Sequence, residues 1–73
     1  MSIPDLINHQ YDLRKQRAEL ENDIESINEH LEDFAGTDVR RALDKRRHLR
    51  SELIDTIKEL LDCERNLDLE RSK

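Results

Sequence analysis

Three histidines and one cysteine are the residues of this chain best suited to metal binding or nucleophilic chemistry. None of His9, His30 and His48 has a histidine or cysteine four residues away, so no two such ligands share a helical turn. Cys63 is the only thiol. Together with His9 it supplies two ligands, whereas a zinc site takes four, or three and a water. The spacing therefore predicts no metal site and no cofactor.

A run of basic residues between positions 40 and 50 is the second candidate. It contains six Arg or Lys residues and His48, with Asp44 as its single acid. One interpretation is a phosphate-binding patch for RNA or DNA. The residues of that patch would be Arg40, Arg41, Lys45, Arg47 and Arg50. The preferred interpretation is ion pairing with the acidic segment 29–33, which faces the run in the fold derived below.

Catalytic patterns are missing from the sequence. It contains no glycine-rich phosphate loop and no strand–turn–helix nucleophile motif. Carboxylates are frequent, but on long helices they lie on solvated faces, and a thin pair of helices forms no concave pocket. We therefore predict no catalytic residues and a protein that is not an enzyme.

The composition limits the class of protein further. Charged residues make up 42% of the 73 positions, and the net charge is −5, which disfavours general nucleic-acid binding. No apolar run is long enough for a membrane span. A lone cysteine forms no internal disulfide, which favours a reducing compartment. We expect an acidic, cytoplasmic protein with one domain, residues 1–73.

Helix-starting and helix-breaking residues divide the chain once. Ser2-Ile3-Pro4-Asp5 has the pattern of a helix start, with Ser2 as N-cap and Pro4 in the first turn. Gly36 is the only glycine and interrupts the helical pattern. These signals predict a first helix over about 3–35, a turn at 35–38, a second helix over about 38–69 and a frayed tail at 70–73.

Apolar residues repeat every seven positions in both predicted helices. In the first helix eight of ten core positions of a heptad pattern are apolar, which is typical of a coiled coil. Gln10, Arg17 and Arg46 are polar at core positions, and we expect Arg17 to extend to Asp55 or Glu59. The register breaks at Gly36, which favours a hairpin over one continuous rod.

Folding the chain about Gly36 and Thr37 pairs apolar residues whose numbers sum to about 73. Leu20 then meets Leu53, for example, and a core position of one helix faces a core position of the other. This register predicts an antiparallel helical hairpin. Its predicted core consists of Leu6, Leu13, Leu20, Ile24, Ile27, Leu31, Phe34, Val39, Ala42, Leu49, Leu53, Leu60 and Leu67.

Further apolar residues lie beside the core positions and widen the apolar surface. This set contains Ile7, Tyr11, Leu43, Ile54, Ile57 and Leu61. So wide a surface is typical of a helix bundle, and two helices alone bury little apolar area in a chain this short. We therefore expect two hairpins to form a homodimeric four-helix bundle through a two-fold axis.

The predicted architecture resembles that of Rop, a plasmid-encoded dimer of helical hairpins that binds RNA. The resemblance implies the fold, since function depends on the residues of a site. From the residues we expect a small regulatory or accessory module that binds itself and an unidentified protein. The alternative is a Rop-like nucleic-acid-binding regulator that uses the basic run 40–50.

Overall fold

The computed structural model describes residues 2–72, and most of them are helical. Helix α1 spans Ile3–His30, a short 3₁₀ helix spans Leu31–Asp33, and helix α2 spans Thr37–Arg71. No strand occurs among residues 2–72. The prediction of an all-α protein with two long helices is therefore confirmed.

Both outer helix ends are capped by serine. The Ser2 hydroxyl oxygen accepts a hydrogen bond from the Asp5 amide at 3.4 Å and donates one to the Asp5 carboxylate at 2.8 Å. This is the predicted N-cap, with Pro4 in the first turn. At the other end the Ser72 hydroxyl and amide both donate to the Asp68 carbonyl. Helix α2 therefore continues to Arg71, into the predicted tail 70–73, whose Lys73 lies outside the described residues.

The connection between the helices begins earlier than predicted. Helix α1 ends at His30 instead of residue 35, and the chain tightens into the 3₁₀ helix before Phe34 adopts an extended conformation. Gly36 has φ +61° and ψ −125°, a region that L-residues with a side chain avoid. The chain needs these non-helical residues to reverse direction, and they come from the last turn of the predicted first helix.

The two helices lie side by side and run in opposite directions. The Cys63 thiol donates to the Leu6 carbonyl at 3.2 Å, which places the start of α1 beside the end of α2. Nearer the turn, the Arg46 guanidinium donates to the Asn28 side-chain oxygen at 2.7 Å. The pair forms a thin rod of 57 × 14 × 13 Å. The open end of the rod is the end opposite Gly36, where α1 begins and α2 ends.

The core is concentrated in the half of the rod nearest the open end. One cluster of buried side chains lies there, with the half-buried Ile3 packed against it. Its members are Leu6, Leu13, Leu60, Cys63 and Leu67. Leu20, Ala42 and Thr56 are also buried. The Thr56 hydroxyl donates to the Glu52 carbonyl at 2.9 Å, which satisfies this polar group inside the core.

The other predicted core residues are less completely buried. Six of them are half-buried: Ile24, Ile27, Leu31, Val39, Leu49 and Leu53. Phe34 departs from the prediction, since its side chain is 38% exposed. The reason is local: Phe34 has left the helix, so its side chain no longer follows the heptad direction that points into the core.

Candidate interaction face

Three polar contacts between the helices mark one side of the rod. Near the open end, Glu64 accepts a hydrogen bond from Gln10 at 3.4 Å and lies 3.7 Å from the Arg14 guanidinium. Near the turn, Arg46 binds Asn28. On α1, Arg14 and Asn28 are two heptads apart and therefore project from the same helix face. On α2, Arg46 and Glu64 are five turns apart at about 3.6 residues per turn, so they also share one face. All three contacts therefore lie on the same side.

The apolar residues predicted to bind a partner lie on this same side. Each of these apolar residues is three, four, seven or eight positions along its helix from a residue that forms one of the three contacts. Residues at these spacings are neighbours on one helix face. Tyr11 is 69% exposed, Leu61 58% and Ile54 54%, whereas Ile57 is half-buried. We call the following set the apolar face: Ile7, Tyr11, Leu43, Ile54, Ile57 and Leu61.

The opposite side of the rod exposes fewer large apolar side chains. A shallow groove there, near the open end, is bordered by His9, Glu59, Asp62 and Asn66, and the buried Leu6 and Cys63 also line it. Outside the apolar face, Phe34 and Leu69 are the exposed large apolar side chains of residues 2–72. Leu69 points away from the face, because it lies five residues after Glu64, which turns it about 140° around the helix from that marking contact at about 100° per residue. Apolar exposure is therefore markedly unequal between the two sides.

Charged residues continue the apolar face toward the turn. Arg46, Arg47 and Arg50 border one groove together with Leu43 on α2. On α1, Glu21 and Glu25 follow at heptad positions equivalent to those of the apolar residues nearer the open end. The side marked by the contacts thus carries apolar and charged residues along its whole length: Arg14 and Glu64 lie among the apolar residues near the open end, and Leu43 lies among the arginines near the turn.

The predicted pairing of the basic run with the acids of α1 is wrong. Among residues 2–72, no ion pair joins residues 40–50 to an acid of the first helix or of the 3₁₀ helix. His48 instead lies 3.4 Å from Glu52 in its own helix. Exposed charges gain little from pairing in water, and the early end of α1 removes Glu32 and Asp33 from the helical register.

The residues of the proposed phosphate patch are therefore all accessible to solvent. Arg40, Arg41, Lys45, Arg47 and Arg50 are exposed. They wrap around the turn half of α2, since Arg47 and Arg50 lie in the groove beside Leu43 while Arg41 and Lys45 border a different groove with Phe34. This arrangement leaves several cations available to a partner.

Polar residues at core positions turn outward. Arg17 lies 3.7 Å from Glu21 in its own helix, in place of the predicted contact with Asp55 or Glu59. Glu21 is four residues further along the same helix, a spacing that needs no particular register between the helices. Gln10 and Arg46 each bind a polar side chain of the other helix, so these positions link the two helices at the edge of the core.

The thiol and the histidines form no ligand cluster. Within residues 2–72, no group of three or more His, Cys, Asp or Glu side chains is placed to hold a metal ion. Cys63 is buried, and its thiol donates to a backbone carbonyl. The His30 ring bonds to the Ser26 carbonyl at 2.8 Å. Cys63 therefore acts here as a small core residue, which the predicted core omitted although it lies at a heptad position.

The acidic part of the face is what the sequence interpretation missed. Glu21 and Glu25 are not among the predicted site residues, although Glu21 shares its heptad position with Ile7 and Glu25 shares its position with Tyr11. The heptad rows that contain Ile7 and Tyr11 therefore continue to the two glutamates, and this continuation is visible in the sequence. The position of both rows on the same side of the rod as the arginines of α2 depends on how the two helices pack.

Comparisons with known proteins add no relative. A scan of protein-family models finds no match, and neither a curated protein nor a solved structure matches the chain. Between residues 2 and 72, neither helix has a stretch apolar enough to cross a lipid bilayer.

Proposed function

We propose that this protein is a non-enzymatic interaction module in which helical hairpins self-associate into a dimeric four-helix bundle and dock a protein partner. The observation that carries this proposal is the apolar face, six apolar side chains on one side of the rod, since only Phe34 and Leu69 are exposed large apolar side chains elsewhere in residues 2–72. Exposed apolar surface gathered on one side of a small protein is characteristic of an interaction site.

The thinness of the rod supports the proposal. A rod 14 × 13 Å across has room for one layer of side chains between its helices, and the buried cluster occupies mainly one half of it. Apolar burial must offset roughly 1–2 kcal/mol of backbone entropy per residue. A second hairpin on the apolar face adds the apolar burial that a chain of this length needs.

Sedimentation equilibrium tests the proposal with a matched pair of variants. Leu61 lies on the apolar face and is 58% exposed, whereas Leu69 lies off it and is 57% exposed. We expect Leu61→Lys to shift the dimer toward monomer, because it places a charge in the interface, while Leu69→Lys leaves the dimer intact. Equal effects of the two substitutions, or a folded wild-type monomer at high concentration, would contradict self-association through this face.

Nucleic-acid binding is the second candidate function, because the basic run has no acidic partners from α1. Arg40, Arg41, Lys45 and Arg47 are free to neutralise phosphates. A titration with duplex RNA and DNA at two salt concentrations tests this candidate. Binding at about 150 mM salt that weakens steeply as salt rises, and that disappears when these four residues are changed to Glu, would favour it. The net charge of −5 argues against it.

A further inference from the structure

We infer that the protein partner docks in a groove beside the turn, on the side opposite the apolar face, through a segment that carries an apolar side chain next to carboxylates. This inference rests on the proposed function, because it specifies the partner-binding surface of the same module. We call this surface the turn groove. It is bordered by Ile27, Phe34, Asp38, Arg41, Ala42 and Lys45.

The turn groove lies on the side of the rod that a second hairpin on the apolar face leaves open. Arg41 and Lys45 are each two residues from Leu43, which turns them about 160° around α2 from that residue of the apolar face at about 100° per residue. Lys45 is also two heptads before Glu59, which borders the shallow groove of the opposite side. Dimerisation and docking therefore use different surfaces.

The centre of the turn groove is apolar because the chain leaves the helix before Phe34. The Phe34 amide donates to the Leu31 carbonyl at 3.3 Å, and the residue itself is extended. Phe34 is 38% exposed, beside the half-buried Ile27 and the buried Ala42. Exposed aromatic side chains of this kind are enriched in the cores of protein interfaces. An apolar side chain of the partner gains burial against this ring.

The rim of the turn groove favours acidic groups. Arg41 and Lys45 are exposed, and neither forms an ion pair with another residue of 2–72. Asp38 is the only acid in that range that borders the groove, and it lies in the first turn of α2, where the positive end of the helix dipole attracts its carboxylate. Positive charge therefore remains for carboxylates of the partner, which an arginine binds in a bidentate geometry.

Among anionic partners, a short protein segment fits this position best. Residues 40–50 contain six Arg or Lys residues and one acid, a charge of +5, so the rest of the chain carries −10 of the net −5. A short acidic segment contacts the positive region alone, whereas a long polyanion such as duplex RNA also meets the acidic remainder. The groove is open, and its volume of about 290 Å³ is at the lower limit for small-molecule sites, so it accommodates side chains better than a whole ligand.

Selection from a displayed library of random linear peptides on the wild-type protein tests the inference. We expect the enriched peptides to share an apolar residue beside Asp or Glu. For a synthetic enriched peptide, changing its acids to amides or its apolar residue to serine should weaken binding about tenfold or more. Sedimentation with saturating peptide should still show a dimer, because the groove and the apolar face lie on opposite sides.

Matched variants of the protein locate the bound peptide. Phe34→Ser and Arg41→Glu should each weaken binding about tenfold or more, because they remove the two kinds of contact separately. Leu69→Ser and Arg40→Glu are the controls, since both residues are exposed and neither borders the groove. Their effects should be much smaller. Circular dichroism establishes that all four variants remain helical.

The outcomes separate this inference from the proposed function. No enriched peptide, or enriched peptides without acids, would overturn the inference and leave self-association intact. A peptide that dissociates the dimer and depends on Leu61 instead of Phe34 would also overturn it, and would place the partner on the apolar face. Salt-sensitive binding of RNA or DNA that Phe34→Ser and Arg41→Glu abolish, without enriched peptides, would overturn it in favour of the second candidate function. A wild-type monomer that binds acidic peptides through Phe34 would instead support the groove and contradict self-association.

Discussion

The half of the rod near the open end and the half near the turn bury their core residues to different degrees. Leu6, Leu13, Leu60 and Leu67 are 2–4% exposed in the first half. In the second half, Ala42 is the buried apolar residue, and neighbours such as Ile27 remain half-buried. Equal heptad spacing in the two halves has therefore not produced equal burial.

Side-chain size and the path of the connection account for this difference. Near the open end, leucines of both helices pack around the small Cys63, whose thiol approaches the opposite backbone to 3.2 Å. Near the turn, Ala42 is too short to fill the space between the helices, Arg46 directs its guanidinium to the edge, and Phe34 has left the helix. The comparison shows that heptad spacing selects the facing residues, while their volumes and the connection determine how well they are covered.

The largest effect is expected from shortening a leucine in the well-packed half. Leu13→Ala should cost about 2–5 kcal/mol in the free energy of unfolding, because a buried side chain leaves a cavity. The matched variant Leu49→Ala removes the same atoms from the half near the turn, where the side chain is half-buried, and should cost about 1 kcal/mol. Denaturant unfolding measures both values, and equal losses would remove the distinction between the halves.

A smaller effect is expected at the turn itself. Gly36→Ala should cost about 1–3 kcal/mol because φ +61° with ψ −125° is strained for an L-residue. An added Cβ meets no atom within 4 Å, so the loss comes from the backbone alone. A D-alanine at position 36, introduced by chemical synthesis, suits a positive φ and is the control. If L- and D-alanine destabilise the protein equally in thermal unfolding, the backbone explanation is wrong.

The smallest effect is expected from the ion pair between the helices. Arg14 and Glu64 lie 3.7 Å apart with side chains 59% and 42% exposed. A double-mutant cycle with Arg14→Ala and Glu64→Ala should give a coupling of about 0–1 kcal/mol that decreases as salt rises. A larger, salt-independent coupling would mean that this contact, and not the buried leucines alone, holds the open end together.

The sequence by itself determined the elements and the identity of their facing residues. One glycine in 73 residues limits the breaks to a single place, Ser2 and Pro4 define a helix start, and a seven-residue repeat selects Leu6, Leu13 and Leu20 as inward-facing. These are local properties, since each depends on a residue's own backbone preference or on spacing along one helix. The same repeat located the six residues of the apolar face.

Only the tertiary structure decided how the connection is built and which charges meet. The end of α1 at His30 depends on where the chain must turn to reach α2, which helix propensity alone does not specify. Cross-helix ion pairs depend on side-chain reach and solvation, and sequence spacing suggested pairs for residues 40–50 that the structure lacks. The location of Glu21 and Ile7 on the same side of the rod as the arginines of α2 likewise arises only when the two helices are placed against each other.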